Sequence, residues 1–401
     1  MTIAENLVRA RSESGLGQGD LANALGVSRA MISYWEAGSR VPNDRQLAAL
    51  SRLLRSPIAV LVGAEEPTPA PDVAAMLLQG AHPELPDDAF PGLREFVEFL
   101  DAYAELADAA KFPVRGMRQS PFVSGAGFES GDDARRKAEE VRAYLRVGLG
   151  PIGDIDALCE ILGVTVYRAP LGENLARTVS GAFYDHPVIG FSLLVNLDMT
   201  QGRRRFTVAH ELAHALFHGE SKYIVSTAGK PPRERFADAF AGEFLMPSEG
   251  VRRVMEEQGF GPRIEDPSEV VQLQRFFGVS YITALVRLRQ AKFITQARFD
   301  SFKLVRPVLL ARSLGFEIGE EEYHPRPDLW RLERFPPRFR RLLRLAVQRE
   351  VLSVPSAAAL TGLSIDEITE LVSADVIGSG PMEEDRAELE QYADSGILGV
   401  A

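Results

Sequence analysis

Apolar residues recur at helical spacing through most of the chain. Leu21, Leu25, Val27, Ile32 and Trp35 stand where two short crossing helices need them, with small Ala22 at the crossing. Gly26 supplies a left-handed turn between them, and Ser28 is placed to cap the second helix. Leu93, Phe96, Val97, Leu100, Tyr103 and Leu106 predict an amphipathic helix over 93–110, free to support the head of the chain or a second subunit. Residues 134–145 and 155–162 read as helices, followed by short β-rich runs at 164–167, 179–184 and 188–196. The pattern then returns to helix at 206–218, 234–246, 270–277, 281–291, 339–350 and 356–372. The predicted architecture is mainly α, with one small α+β domain in the middle.

Punctuation between these elements suggests domains. Pro67, Pro69, Pro71, Pro83, Pro86 and Pro91 make 64–91 a stiff linker, and a Gly-rich break at 124–131 opens the central domain. The tail from 379 to 401 lacks periodicity and is expected to be mobile. With 401 residues, 45% of them hydrophobic and 25% charged, the chain has room for two or three cores, which excludes a disordered or fibrous protein. A single cysteine, Cys159, in apolar context, excludes an internal disulfide and suits a reducing cytosol. No apolar run approaches the ~20 residues of a membrane helix and no signal pattern opens the chain, so a soluble cytoplasmic protein is expected.

Charge changes this picture at one end. The net charge of −11 argues against a chain coated in basic residues for nucleic acid. Residues 1–63, however, hold seven arginines against five acidic residues, a net +2, which leaves −13 on the rest. Such a head can approach DNA while the body is repelled.

The chemistry concentrates in Phe206 to His218. His210 and His214 are four residues apart, so both imidazoles lie on one helix face and can reach one metal ion at about 2.0–2.1 Å. Glu211 follows His210 and can hold the attacking water as general base without being a ligand. Three of the 6 histidines fall between 210 and 218, on a helix whose other faces carry Val208, Leu212, Ala215 and Leu216. Glu234 is the candidate third ligand, opening a helix with an apolar stripe through Phe236, Ala237, Phe240, Ala241 and Phe244. Asp238, one turn on, can accept the second N–H of a ligating histidine. His218 lies about 12 Å along the helix from His210, so it reads as a supporting residue rather than a ligand. Glu243 reads as a solvated face residue. Arg203, Arg204 and Arg205 read as covering the helix surroundings.

Two resemblances follow from these residues. The run from Arg205 to His214, then Glu234-x-x-Ala237-Asp238-x-Phe240-Ala241 and Leu245-Met246-Pro247, resembles the ImmA/IrrE family of bacterial zinc metallopeptidases. The resemblance implies a zincin-like α+β domain, Zn2+ as cofactor, His210, His214 and Glu234 as ligands and Glu211 as base. Asp238 stands where that family commonly has Asn. The stretch from Gln18 to Gly38, with Trp35-Glu36-x-Gly38 and Val41-Pro42, resembles the XRE/Cro helix-turn-helix family over residues 3–63. That implies a five-helix domain whose recognition helix starts at Ser28, Arg29, Ala30, Ser33 and Tyr34. Arg29 is then the base reader, and Gln18 and Arg40 touch phosphates. The helix pair at 270–291 resembles C-terminal helices of the ImmA/IrrE family, and Ala357 to Ser364 echoes a second helix-turn-helix.

The expected layout is therefore a DNA-binding domain at 1–63, a Pro-rich linker and amphipathic helix at 64–130, a zinc peptidase domain at 131–300, and a helical accessory or dimer element with a mobile tail at 301–401. The resemblances imply a DNA-binding regulator, a homodimer on double-stranded DNA, that cleaves a partner repressor or regulatory protein. The alternative is a non-proteolytic transcription factor or antitoxin, paired with a toxin, whose zinc site is structural or vestigial. An edge strand within 179–196 is expected to align substrate. Tyr184, His186 and Tyr223 are unranked candidates for stabilising the oxyanion.

Overall fold

The computed structural model describes residues 2–13, 16–54, 56, 58–63, 90–122, 131–172, 179–219, 221–227, 231–325 and 332–373. The expected Pro-rich linker from 64 to 89, most of the Gly-rich break and the tail from 374 onward lie outside them. The chain forms two compact units, one holding Ile3–Ser56 with the described residues from Arg344 on, the other holding residues 57–343.

In the first unit α1 (Ile3–Glu13), α2 (Gln18–Leu25), α3 (Arg29–Glu36) and α4 (Asp44–Leu53) surround Leu7, Leu21, Ile32, Trp35 and Leu50, all buried. Gly26 takes a φ of +65° between α2 and α3, and the Ser28 hydroxyl accepts from the Met31 amide at 3.3 Å, closing the exposed end of α3. The short α5 (Ile58–Leu61) falls in the other unit.

The second unit begins with α6 (Phe90–Ala109), α7 (Gly131–Tyr144) and α8 (Ile155–Leu162). Strands β1 (Thr165–Ala169), β2 (Val179–His186), β3 (Gly190–Asn196) and β4 (Tyr223–Thr227) form one sheet in the order β1-β3-β2-β4. β1 runs parallel to β3, and the other pairs are antiparallel. Alternation sends Val166, Phe183, Leu193, Val195 and Ile224 to one face. There they pack on α9 (Gln201–Phe217), which is backed by α10 (Pro232–Leu245), itself packed on α7. Cys159 is buried in the same core. The opposite face carries Tyr167, stacked on Phe99 at 4.3 Å, with Tyr103, Phe335 and Phe339 around them. Further helices, α11 (Ser248–Glu257), α12 (Pro267–Phe277), α13 (Tyr281–Gln290), α14 (Gln296–Phe302) and α15 (Pro307–Ser313), extend the first core.

These facts redraw the expected boundaries. Helix α6 belongs to the sheet-bearing unit, where its Phe96 and Phe99 stack on Tyr167 and cover the second face of the sheet. The stretch 301–401 is not one accessory element. Phe302, Ala311, Phe335 and Phe339 are buried in the sheet-bearing unit, whereas Ala357, Leu363 and Ile368 are buried with the head. The last two helices, α17 (Val354–Thr361) and α18 (Ile365–Ser373), follow α16 (Pro337–Gln348). α17 lies against α2 and α4, and the Ser356 hydroxyl donates to the Ala24 carbonyl at 3.0 Å. The echo of a helix-turn-helix is real in geometry, with Gly362 at φ +68° and Ser364 and Glu367 capping each other. Its first helix is spent on packing.

Glu243 is not solvated; it is 2% exposed. Its carboxylate accepts from the Ser248 amide and hydroxyl at 2.8 and 3.0 Å and pairs with buried Arg287. Arg287 also donates to the Met246 carbonyl at 3.1 Å, so this pair pins the corner that ends α10.

Candidate metal centre and nucleic-acid interface

Helix α9 presents His210 and His214 one turn apart, and Glu234 arrives from the first turn of α10. All three are buried. His210 Nε2 lies 3.1 Å from Glu234 Oε2, His214 Nε2 lies 3.2 Å from His210 Nε2, and His214 Nε2 lies 3.4 Å from Glu234 Oε1. Ligands about 2.0–2.1 Å from a tetrahedral ion stand roughly 3.3 Å apart, so this triangle has the size a zinc ion requires. Among the described residues it is the one cluster of three such donors that converges in this way. Two imidazole nitrogens and one carboxylate oxygen are a donor set that fits zinc.

The remaining ring nitrogens are engaged. His210 Nδ1 is 3.0 Å from the half-exposed Asp238 carboxylate, and His214 Nδ1 is 3.0 Å from His218 Nδ1. With both Nε2 atoms turned to a metal, the Nδ1–H of His210 donates to Asp238 and that of His214 donates to His218. His218 then carries its own proton on Nε2. The aspartate at 238 thus supplies a full carboxylate partner.

Without a metal the charges settle differently. Burial pushes the His210 imidazole down, but hydrogen bonds to Asp238 and Glu234 outweigh it and hold the pKa up at about 10. Burial likewise pushes Glu234 up, yet His210 and His214 hold it well below the usual carboxylate range. Burial drives His214 down to about 4 and His218 down to about 3. Glu211 is raised to about 8 by burial, with His210 opposing.

Glu211 is fully buried and neither of its carboxylate oxygens has a hydrogen-bond partner. It faces Gly181 on β2, where a methyl group would stand 2.8 Å from Oε1. Opposite Gly181 on β4 is buried Ser226, whose hydroxyl makes no well-formed hydrogen bond but is close enough to the Glu211 carboxyl to oppose the rise in its pKa. A buried carboxyl and hydroxyl that make no well-formed hydrogen bond, beside a triangle of metal-donor atoms, mark a polar site rather than packed core. Gly181 and Ser226 had no signature in the sequence, because only the pairing of β2 with β4 brings them to Glu211.

Other expectations fail on geometry. β2 and β3 have neighbours on both sides, so no strand within 179–196 is an edge; the edge beside the site is β4. Tyr184 and His186 alternate away from Gly181 and Phe183, and Tyr223 pairs with Tyr184, which puts all three on the sheet face turned from α9. His186 is further tied down by Asp101 at 3.1 Å and by the Val188 and Ile189 amides. None of the three can meet an oxyanion at the metal centre. Arg204 and Arg205 do cover the helix surroundings, donating to the Met199 and Gly153 carbonyls.

In the helix-turn-helix unit Ser28, Arg29, Ala30, Ser33 and Tyr34 are exposed along α3. Arg40 lies 5.4 Å from the centre of the Tyr34 ring. Gln18 behaves otherwise: its amide donates to Glu36 at 2.8 Å, and Glu36 also holds Arg11. A phosphate at this end of α2 would find the helix N-terminus rather than a free Gln18 side chain.

Fold and donor set together define a DNA-binding regulator domain joined to a peptidase-type domain. Residues 159–289 match the peptidase family described as the IrrE N-terminal-like domain, and residues 7–61 match the helix-turn-helix family. The HTH-type transcriptional regulator DicA of Escherichia coli (strain K12) is 38% identical over 74 residues, which is 18% of this chain and 55% of that protein. The chain spans about half the length of that relative. It therefore carries an XRE-type helix-turn-helix domain and an IrrE/ImmA-like domain of the M78 peptidase family. Among the described residues no helix is long and apolar enough to cross a membrane.

Proposed function

We propose that this chain is a cytoplasmic DNA-binding regulator whose sheet-bearing unit is a zinc-dependent endopeptidase, and that it changes transcription by cutting a partner repressor or regulatory protein. The observation that carries this reading is the triangle of His210, His214 and Glu234 with the unpartnered Glu211 carboxylate buried beside it. Zinc held there would supply Lewis-acid polarisation of the scissile carbonyl. Glu211 holds the attacking water, takes its proton and returns it to the leaving amine. Asp238 and His218 fix the two imidazoles, and the outer edge of β4 aligns the substrate backbone by strand addition. Exposed Arg29 reads guanine in the major groove and Arg40 meets phosphate, in a homodimer on a two-fold operator.

Glu211→Gln tests the reading, since it keeps both histidines and the side-chain volume while removing the proton acceptor. Zinc content and operator binding should persist, whereas new protein N-termini that appear in cells with the unaltered protein should fall by about 10²-fold. If cleavage and target-gene expression are the same in both strains, the protein is a non-proteolytic regulator or antitoxin with a structural zinc site.

A further inference from the structure

Arg233 stands at the second position of α10, directly before Glu234. Its Nε lies 3.7 Å from Glu234 Oε1 and its side chain is 49% exposed. Among the described residues no hydrogen-bond acceptor and no other carboxylate meets the guanidinium. Its Nε side is turned to Glu234, and its two terminal nitrogens make no hydrogen bond among the described residues. The charge is felt at the centre, where it helps push both His214 and His218 down.

Helix stability does not account for this residue. A cation in the first turn opposes the helix dipole, at a cost of about 0.3–1 kcal/mol where an acidic side chain would gain as much. Nor does it neutralise a stray charge, because Glu234 already faces both histidines. A guanidinium fork fits oxygen that carries or is gaining negative charge. The scissile carbonyl oxygen is such an atom, and no residue so far described supplies it with a hydrogen bond. Glu211 approaches the site from the Gly181 and Ser226 side of the sheet, and Arg233 from α10, so base and cation come from different elements.

We propose that Arg233 is the oxyanion-stabilising residue of this site, its free guanidinium donors binding the carbonyl oxygen as charge develops on it. This rests on the zinc peptidase reading, and the test separates the two. Zinc-loaded full-length protein, unaltered and as Arg233→Gln and Arg233→Lys, is titrated in a calorimeter with two probes. One is a blocked Phe-Ala phosphinic pseudodipeptide, a tetrahedral anion; the other is benzyloxycarbonyl-leucine hydroxamate, which grips zinc by chelation. Removing one oxyanion donor typically costs about 10²–10³ in rate, so Arg233→Gln should weaken the phosphinate by at least ~10-fold. Hydroxamate affinity and zinc content should stay within about threefold. Arg233→Lys should recover part of the phosphinate loss, because it keeps the charge but not the fork. Equal loss of both probes, or no loss of either, overturns the assignment. Failure of the hydroxamate to bind the unaltered zinc-loaded protein overturns the underlying peptidase reading instead.

Discussion

Gly181→Ala puts the close approach between the sheet and α9 under a direct test. A Cβ at this position would stand 2.6 Å from the Leu194 carbonyl oxygen, 2.8 Å from Glu211 Oε1 and 2.9 Å from Thr207 Cγ2. Non-bonded heavy atoms prefer about 3.5–4.0 Å, so each contact is short by most of an ångström. The Glu211 carboxylate can turn aside. The Leu194 oxygen cannot, because it belongs to β3, which is paired on both sides. Overpacking of this kind costs about 1–3 kcal/mol, and a backbone clash argues for the upper end. The entropy that alanine removes from the unfolded chain returns only about 0.4–1 kcal/mol.

At about 2–4 °C per kcal/mol for a unit of this size, the net loss of about 2–2.6 kcal/mol lowers its Tm by roughly 4–10 °C. Scanning calorimetry reads this, and the transition that moves with added zinc belongs to the unit that binds it. Gly153→Ala is the control, since nothing lies within 4 Å of the added carbon there, and it should be neutral or slightly stabilising. Glu211 should also be displaced enough to lose about 10²-fold in cleavage. A Gly181→Ala protein that melts within 2 °C of the parent, roughly the effect of 1 kcal/mol, would show that the sheet and α9 are not locked at this point.

Glu234→Gln should bring zinc well below one ion per chain; full occupancy by metal analysis would remove Glu234 from the ligand set. Zinc uptake by metal-free protein at pH 7 should release about two protons, one from His210, whose pKa is raised to about 10, and one from Glu211, raised to about 8. Affinity should accordingly weaken as pH falls, and calorimetry in two buffers of different ionisation heat counts the protons; a release of none would mean that both groups start deprotonated. Glu243→Gln strands buried Arg287 without its carboxylate and should cost about 3–5 kcal/mol, read as a fall in denaturation midpoint. Ile368→Asp puts a charge into the core that α18 shares with the head, so operator binding in a gel shift should collapse although α3 is untouched; unimpaired binding would show that the C-terminal helices are dispensable to that unit.

Legibility in the sequence followed the reach of each signal. His210, Glu211 and His214 were visible because their relation is local, fixed by one helix and its period. Leu21, Gly26, Ser28 and Trp35 were visible for the same reason. Glu234 and Asp238 are read from the second helix's own pattern, the resemblance adds the link between the two helices, and the fold brings Glu234 within 3.1 Å and Asp238 within 3.0 Å of His210. Glu243 was misread because its partner Arg287 lies 44 positions away, and nothing local says that a helical glutamate has a buried arginine to meet. The oxyanion candidates Tyr184, His186 and Tyr223 cannot be ranked by spacing, and the pleat of β2 and β4 sends all three to the face turned from α9. The origin of the C-terminal boundary was hidden more deeply: Ala357 and Ile368 look like any apolar helix positions, and only packing reveals that they complete the head.

The charges at the centre agree with the divalent ion that the donor triangle fits. In the metal-free state His210 is a cation, Glu234 an anion and Glu211 largely neutral near pH 7, so these three buried groups sum to about zero. Exchange of the protons on His210 and Glu211 for one dication leaves a neutral imidazole, two carboxylates and a charge of +2, again a sum of zero. A monovalent ion would leave the pocket one charge short, and a trivalent ion one charge over. Half-exposed Asp238 and Arg233, at the rim of the centre, add one charge of each sign and leave this balance unchanged. It also explains why the base can be so deeply buried. Glu211 tolerates a site with no well-formed hydrogen bond as long as it holds a proton, and a dication bound by His210, His214 and Glu234 would supply the charge to stabilise its carboxylate.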